Sequence, residues 1–212
     1  MHSSNALLPA LHVVLNNVGK KFGKQYIFKG INYRFEAGGR YAITGANGSG
    51  KSTLLKVIAG ILTPNLGTTE WQLNNQPIKV EEVFKHLSFC SPYAELPEEL
   101  TLRELLQFHQ HTRTLHAAED ALIKELAIDP DKEIRNYSSG MKQRVKLALA
   151  FYTQSSLLLL DEPTANLDEH WSNWYLQKIS KAPASQLIIV CSNVPAEYGF
   201  CKAVLHIDAF KV

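Results

Sequence analysis

The run Gly45-Ala46-Asn47-Gly48-Ser49-Gly50-Lys51-Ser52-Thr53 constrains this chain more than any other stretch. It fits G-x-x-x-x-G-K-[ST], a pattern that a random chain of this length shows only about once in several hundred tries by residue-frequency arithmetic. Its chemistry demands a particular backbone. A triphosphate is densely anionic, and a loop that wraps it must bring backbone amides close with no side chain in the way. Gly45, Gly48 and Gly50 permit that approach, because they lack a Cβ and tolerate unusual dihedrals. A helix starting at Lys51 adds free N–H groups and the positive end of its dipole. The spacing makes Gly45, Asn47, Gly48, Ser49, Gly50, Lys51, Ser52 and Thr53 candidates for phosphate contact, with Lys51 reaching the β and γ phosphates and the Ser52 hydroxyl ligating Mg²⁺. A plain strand-to-helix turn would account for the glycines but not for Lys-Ser at the helix start.

Far downstream, Leu157–Leu160 runs straight into Asp161-Glu162-Pro163. This is an apolar strand ending in two acids. A strand that delivers Asp161 to the same sheet edge as the glycine loop places a carboxylate where it can hold the Mg²⁺ shell. Glu162 then stands where it can orient and polarise a water attacking the γ-phosphate, which is general-base work. A strand end carrying two solvated acids is the plain alternative, and the partner motif argues against it. Together the two motifs imply a protein that binds a nucleoside triphosphate with Mg²⁺.

Composition narrows the rest. The chain has 212 residues, 45% apolar and 20% charged, which suits one globular unit with a real core. Its 22 basic and 20 acidic residues leave a formal net charge of +2, so no broad field for nucleic acid or anionic lipid follows. Lys20, Lys21 and Lys24 read as a solvated strand or turn edge. The longest apolar runs, Leu157–Leu160 and Leu187–Cys191, fall far below the roughly 20 residues needed to cross a bilayer. Met1–Asn5 carries no basic stretch followed by a cleavable apolar segment. Cys90, Cys191 and Cys201 form no C-x-x-C pair, and these points together favour the reducing cytoplasm.

Strands are expected at Leu11–Val18, Tyr33–Phe35, Arg40–Thr44, Thr68–Leu73 and His86–Cys90, with a helix from Lys51 to Ala59 stopped by Gly60 and Pro64. The middle changes character. Thr101-Leu102-Arg103-Glu104 is a capping box, opening a helix-rich stretch through Leu126. Ser138-Ser139-Gly140 precedes a second helix, with Met141, Val145, Ala148 or Leu149, and Tyr152 on one face. Asp168 can cap a helix whose buried stripe is Trp171, Trp174 or Tyr175, and Ile179, and strands at Leu187–Cys191 and Ala203–Ile207 close the sheet. Strands alternating with helices on both flanks of a helical insert give an α/β fold: a mixed, largely parallel sheet, N-terminal antiparallel strands and a helical subdomain.

Tyr137-Ser138-Ser139-Gly140-Met141-Lys142-Gln143-Arg144 is similar to L-S-G-G-Q-x-Q-R, and it stands just before the apolar strand and Asp161-Glu162-Pro163-Thr164. On these residues the chain resembles, over nearly its whole length, the nucleotide-binding subunit of ABC transporters. The resemblance implies a P-loop ATPase of ABC type as one domain over 11–212, with a RecA-like core at about 11–90 and 156–212 and a helical subdomain at about 91–155. It implies that Ser138 and Gly140 of one subunit bind the γ-phosphate of ATP held by another. That means a homodimer or heterodimer with two ATPs and Mg²⁺, driving a separate membrane permease from the cytoplasmic face. Ala165–Asp168 would cross the dimer seam. Phe22 would stack on adenine, the alternative being an ordinary core phenylalanine.

Two residues of the family pattern are missing. Where a glutamine would touch Mg²⁺ and the attacking water, Phe89–Leu96 offers Ser91 or Pro92. Where a switch histidine would contact the γ-phosphate stands Asn193, which donates an amide hydrogen bond but carries no proton or charge. Losing one preorganised contact to a transition-state charge costs around 10²–10³ in rate, so slow hydrolysis is expected. In the signature, Ser139 replaces a glycine and Met141 a glutamine. Ser139 also sets a hydroxyl at a helix N-terminus, where serine is favoured. A nucleotide-gated interaction module with negligible turnover is the alternative. DNA-repair and translation proteins of ABC type need a long coiled-coil insertion or two cassettes, and no nucleic-acid partner is expected. A small-molecule P-loop kinase leaves Ser138–Arg144 unexplained. His109, His111 and His116 read as a solvated helix surface, because positions two apart on a helix point in different directions.

Overall fold

The computed structural model describes residues 8–212, so the reading of Met1–Asn5 lies outside the described residues. Two long strands, β1 (Leu11–Phe22) and β2 (Gln25–Phe35), form a hairpin across Gly23-Lys24. Both run further than the alternation of apolar residues predicts. Register shifts between Leu15 and Lys21 explain the difference, since each bulge breaks the two-residue period by which a strand is read. Lys20 and Lys21 sit on β1 and Lys24 in the turn, at the strand edge expected of them.

Then follow β3 (Arg40–Thr44), α1 (Lys51–Ile58), β4 (Leu66–Leu73), β5 (Gln76–Ile78), α2 (Val80–Val83) and β6 (Leu87–Cys90). The helical insert comprises α3 (Leu102–Thr112), α4 (Glu119–Leu126) and α5 (Ser139–Tyr152). The chain closes with β7 (Leu157–Asp161), α6 (Glu169–Ser180), β8 (Leu187–Cys191), α7 (Pro195–Tyr198) and β9 (Ala203–His206). The capping box at Thr101 and Glu104 forms in full at the start of α3, and Asp168 caps α6 by accepting from the Trp171 amide at 2.9 Å.

The strands make two sheets. One is antiparallel in the order β2-β1-β4-β5, and the other is parallel in the order β6-β7-β8-β3-β9. β7 and β8 explain why their sequences are apolar throughout. Leu157, Leu159, Leu187 and Ile189 face α1 and the antiparallel sheet, whereas Leu158, Leu160, Ile188 and Val190 face the helices of the insert and α6. A strand buried on both faces has no polar alternation to show. α5 departs from the single stripe expected of it. Gln143 and Lys146 are buried along with Val145, Leu147, Ala148 and Ala150, because the helix packs against β6, α4 and α6 at once.

Candidate nucleotide-binding site

In the parallel sheet every strand points the same way, so β3, β6, β7 and β8 end on one edge. Ligands in open α/β sheets bind outside that edge. The glycine loop leaves β3, Ser91 follows β6, Asp161 ends β7 and Asn193 follows β8. Residues far apart in the chain are therefore neighbours here.

The loop itself is built for close approach. Gly50, immediately before α1, has φ +99°, and a Cβ on it would lie 2.4 Å from Ile27 Cγ2. Gly48 has φ +75° with nothing within 4 Å of where its Cβ would point, which leaves the outer side of the loop open. Asn47 and Gly48 are exposed, while Ser49 is buried with its hydroxyl unpartnered. Gly45 packs on Ile207, and Thr53 is half-buried in the first turn of α1. The Lys51 ammonium lies over the loop, donating to the carbonyls of Gly45 at 2.8 Å and Ala46 at 3.2 Å.

Asp161 is 1% exposed, and its carboxylate is held by two hydroxyls. Ser52 donates to Oδ1 at 3.0 Å and Ser91 donates to Oδ2 at 3.2 Å. Burial pushes its pKa above the ordinary carboxylate value, against the opposing pull of those hydrogen bonds and of Lys56 and Lys51. A hydroxyl and a carboxylate converging at a helix start give an all-oxygen donor set, which suits a hard cation such as Mg²⁺. Glu162 is half-buried at φ +42°, a left-handed backbone fixed by its amide donating to the Cys191 carbonyl at 2.9 Å. Its carboxylate makes no hydrogen bond or ion pair with another described residue. Backbone strain of this kind concentrates at functional sites.

Asn193 engages the loop directly. Its Oδ1 accepts from the Gly45 amide at 3.3 Å, and its Nδ2 donates to Asn47 Oδ1 at 3.0 Å. Phe22 is 57% exposed and is not a core residue; it shares a cleft of about 470 Å³ with Gly48, Tyr26 and Lys211. An exposed ring beside the open loop is where a base could stack. Sequence reasoning missed Asp208, which sits in a single helical turn after β9 and accepts from the Ala46 amide at 2.9 Å. No local signal marks it, since the contact spans most of the chain.

The serine-rich helix start is placed differently. Ser138, not Ser139, is the cap of α5, its hydroxyl accepting from the Met141 amide at 3.2 Å. Both serines are exposed. A Cβ on Gly140 would come within 2.8 Å of the Asn166 carbonyl, so this glycine lets α5 approach the segment Ala165–Asp168. Among the described residues no hydrogen bond joins Ser138 or Gly140 to the glycine loop of the same chain. His111 and His116 are exposed, but His109 is half-buried and shares a hydrogen bond with the Thr153 hydroxyl at 2.8 Å. The expectation of a solvated surface fails there because Thr153, the residue that ends α5, lies beside the His109 ring.

The family profile described as ABC transporter matches residues 28–165. The chain belongs to the ABC transporter family. It is 31% identical over 168 residues to the Nod factor export ATP-binding protein I of Burkholderia lata, an alignment covering 76% of this chain and 55% of that protein. The chain thus spans about half the length of that relative. The bacitracin export ATP-binding protein BceA of Halalkalibacterium halodurans is 31% identical over 216 residues, covering 95% of this chain and 85% of that protein. The fold matches a putative ABC transporter ATP-binding protein of Pyrococcus furiosus at a TM-score of 0.77 and 21% identity, over 95% of this chain and all of that one. In this ABC-family chain Ser91 and Asn193 fall on one edge. Ser91 spends its hydroxyl on Asp161, and Asn193 spends its amide on the glycine loop. Among the described residues no helix is long and apolar enough to cross a membrane.

Proposed function

We propose that this chain is an ATP-binding and ATP-hydrolysing subunit that powers a membrane transporter, two nucleotide-binding subunits closing on two ATPs. The observation that carries it is the convergence of Lys51, Ser52 and Asp161 at the mouth of the glycine loop, with the Ser52 hydroxyl 3.0 Å from the Asp161 carboxylate. The names of the relatives, which export Nod factor and bacitracin, support the transport reading.

In this reading the open amides at Gly48–Lys51 bind the phosphates, the Lys51 ammonium turns from its own carbonyls to the β and γ oxygens, and Phe22 takes the adenine. Ser52 and Asp161 hold Mg²⁺, which when bound neutralises charge building on the phosphate oxygens. Glu162, whose carboxylate has no partner among the described residues, orients and deprotonates the water. The exposed cap of α5 presents Ser138 and Gly140 to the nucleotide of a second subunit, and Asn193 supplies a neutral amide to the γ-phosphate. The rings of Phe84, Tyr93 and Phe108 are 60%, 78% and 61% exposed, and each is a candidate contact for a permease segment.

A second reading, a nucleotide-gated module with negligible turnover, is favoured by Asn193, which carries no titratable proton, and by Ser91, whose hydroxyl is engaged by Asp161. Steady-state ATPase rates of the natural chain and of Glu162→Gln separate the two. A fall of 10²-fold or more in the variant, with ATP binding retained, supports hydrolysis. Equal rates remove the enzyme reading.

A further inference from the structure

A cation sits inside α5 where the neighbouring residues are apolar. Lys146 is 9% exposed, between Val145 and Leu147, both fully buried. An ammonium taken out of water costs stability unless hydrogen bonds replace its hydration. Among the described residues no carboxylate pairs with it. Its partners are two consecutive carbonyls at the end of β6, Ser91 at 3.0 Å and Pro92 at 2.8 Å.

Those carbonyls belong to the segment that enters the helical insert. The same Ser91 whose carbonyl Lys146 holds donates its hydroxyl to Asp161 Oδ2 at 3.2 Å, and Asp161 Oδ1 accepts from Ser52 at 3.0 Å. One turn earlier on α5, Gln143 Nε2 donates to the Pro163 carbonyl at 2.9 Å, two residues past Asp161. α5 therefore grips the ends of both β6 and β7 from one side. A continuous set of short contacts leads from its buried face to the residues that would hold the metal.

We propose that Lys146 is a positioning residue for the Mg²⁺ carboxylate: by fixing the Ser91 backbone it fixes the Ser91 hydroxyl on Asp161, tying the signature helix to the phosphate site of its own chain. The inference rests on the Mg²⁺-ATP reading above but not on turnover. A flexible loop end would let the Ser91 hydroxyl swing away and leave Asp161 with one donor. Partners that orient a metal-binding carboxylate typically contribute 10–100-fold to metal affinity.

The test is nucleotide retention against Mg²⁺ concentration, using a fluorescent ATP analogue and the full chain, for Lys146→Met, Ser91→Ala and the double variant. Each single variant should raise the Mg²⁺ concentration for half-maximal retention about tenfold. The double variant should show no further increase, because both act through one hydroxyl. Retention without Mg²⁺ should be unchanged, and Lys146→Arg should recover part of the loss. Should Lys146→Met fail to fold, Lys146→Gln carries the same expectation. An unchanged Mg²⁺ midpoint in the Lys146 variants, or losses that multiply in the double variant, overturns the proposal and leaves hydrolysis standing. Equal ATPase rates for the natural chain and Glu162→Gln remove hydrolysis and leave this proposal standing. No Mg²⁺ dependence in the natural chain overturns both.

Discussion

Asp161→Asn should make the unliganded protein more stable while destroying its response to Mg²⁺. The carboxylate is 1% exposed, with two hydroxyl donors and no cation within ion-pair distance among the described residues. A buried polar group with incomplete compensation costs the native state about 1–3 kcal/mol, and a charged one more. The Ser52 and Ser91 bonds offset part of that, which leaves a net cost of about 1–2 kcal/mol relieved by the neutral amide. Asparagine has the same shape: one hydroxyl keeps donating to its amide oxygen and the other rotates to accept from its NH₂. For a chain of this size each kcal/mol moves the melting temperature about 2–4 °C, so the variant should melt about 2–8 °C higher at pH 7 without Mg²⁺ or nucleotide. The pH dependence fixes the sign. A carboxyl whose native pKa is raised has no penalty below its ordinary value of 3.8 and acquires it as pH rises through that value to the native one. The advantage of the variant must therefore shrink as the pH is lowered toward 3.8. Thermal unfolding by circular dichroism across pH, with Mg²⁺-dependent nucleotide retention alongside, measures both halves. A variant that melts at or below the natural chain at pH 7, or that still responds to Mg²⁺, refutes the reasoning.

Two further outcomes follow from the geometry. Phe22→Ala removes an exposed ring and should leave the fold intact while weakening ATP binding by about 5–150-fold, the range given by base stacking worth about 1–3 kcal/mol; pyrophosphate affinity should not change in the same titration. Glu125 on α4 accepts from Trp174 at 2.7 Å, pairs with Lys178 at 2.5 Å on α6 and receives the Tyr152 hydroxyl; burial opposes its charge, but these bonds outweigh it and hold the carboxyl below its ordinary value of 4.5. Its contribution is present above pH 4.5 and is lost as pH falls through the lower native value. In urea unfolding Glu125→Gln should be about 1–2 kcal/mol less stable than the natural chain at pH 7, the pair being partly solvated, with the gap closing in acid.

What the residues announced by themselves was whatever depends on near neighbours in the chain. The glycine loop was legible because a backbone that approaches phosphates needs left-handed dihedrals at fixed offsets, and Gly48 and Gly50 adopt them. The capping box at Thr101 and the apolar run into Asp161 were legible for the same reason: one turn of helix or one strand contains the whole signal. Lys146 was not singled out from the sequence, because nothing near it in the chain says what it would hold.

Only the tertiary structure decided the contacts across the sheet edge. Whether Ser91 meets Asp161, Asn193 meets Gly45 or Asp208 meets Ala46 depends on the strand order β6-β7-β8-β3-β9, and that order is set by packing among residues distant in the chain. Local propensity carries no information about such partners, because a hydrogen bond forms where two backbones are brought together by the burial of other side chains. The sequence thus named the candidate residues of the loop and of the strand end, and the fold alone assigned their neighbours.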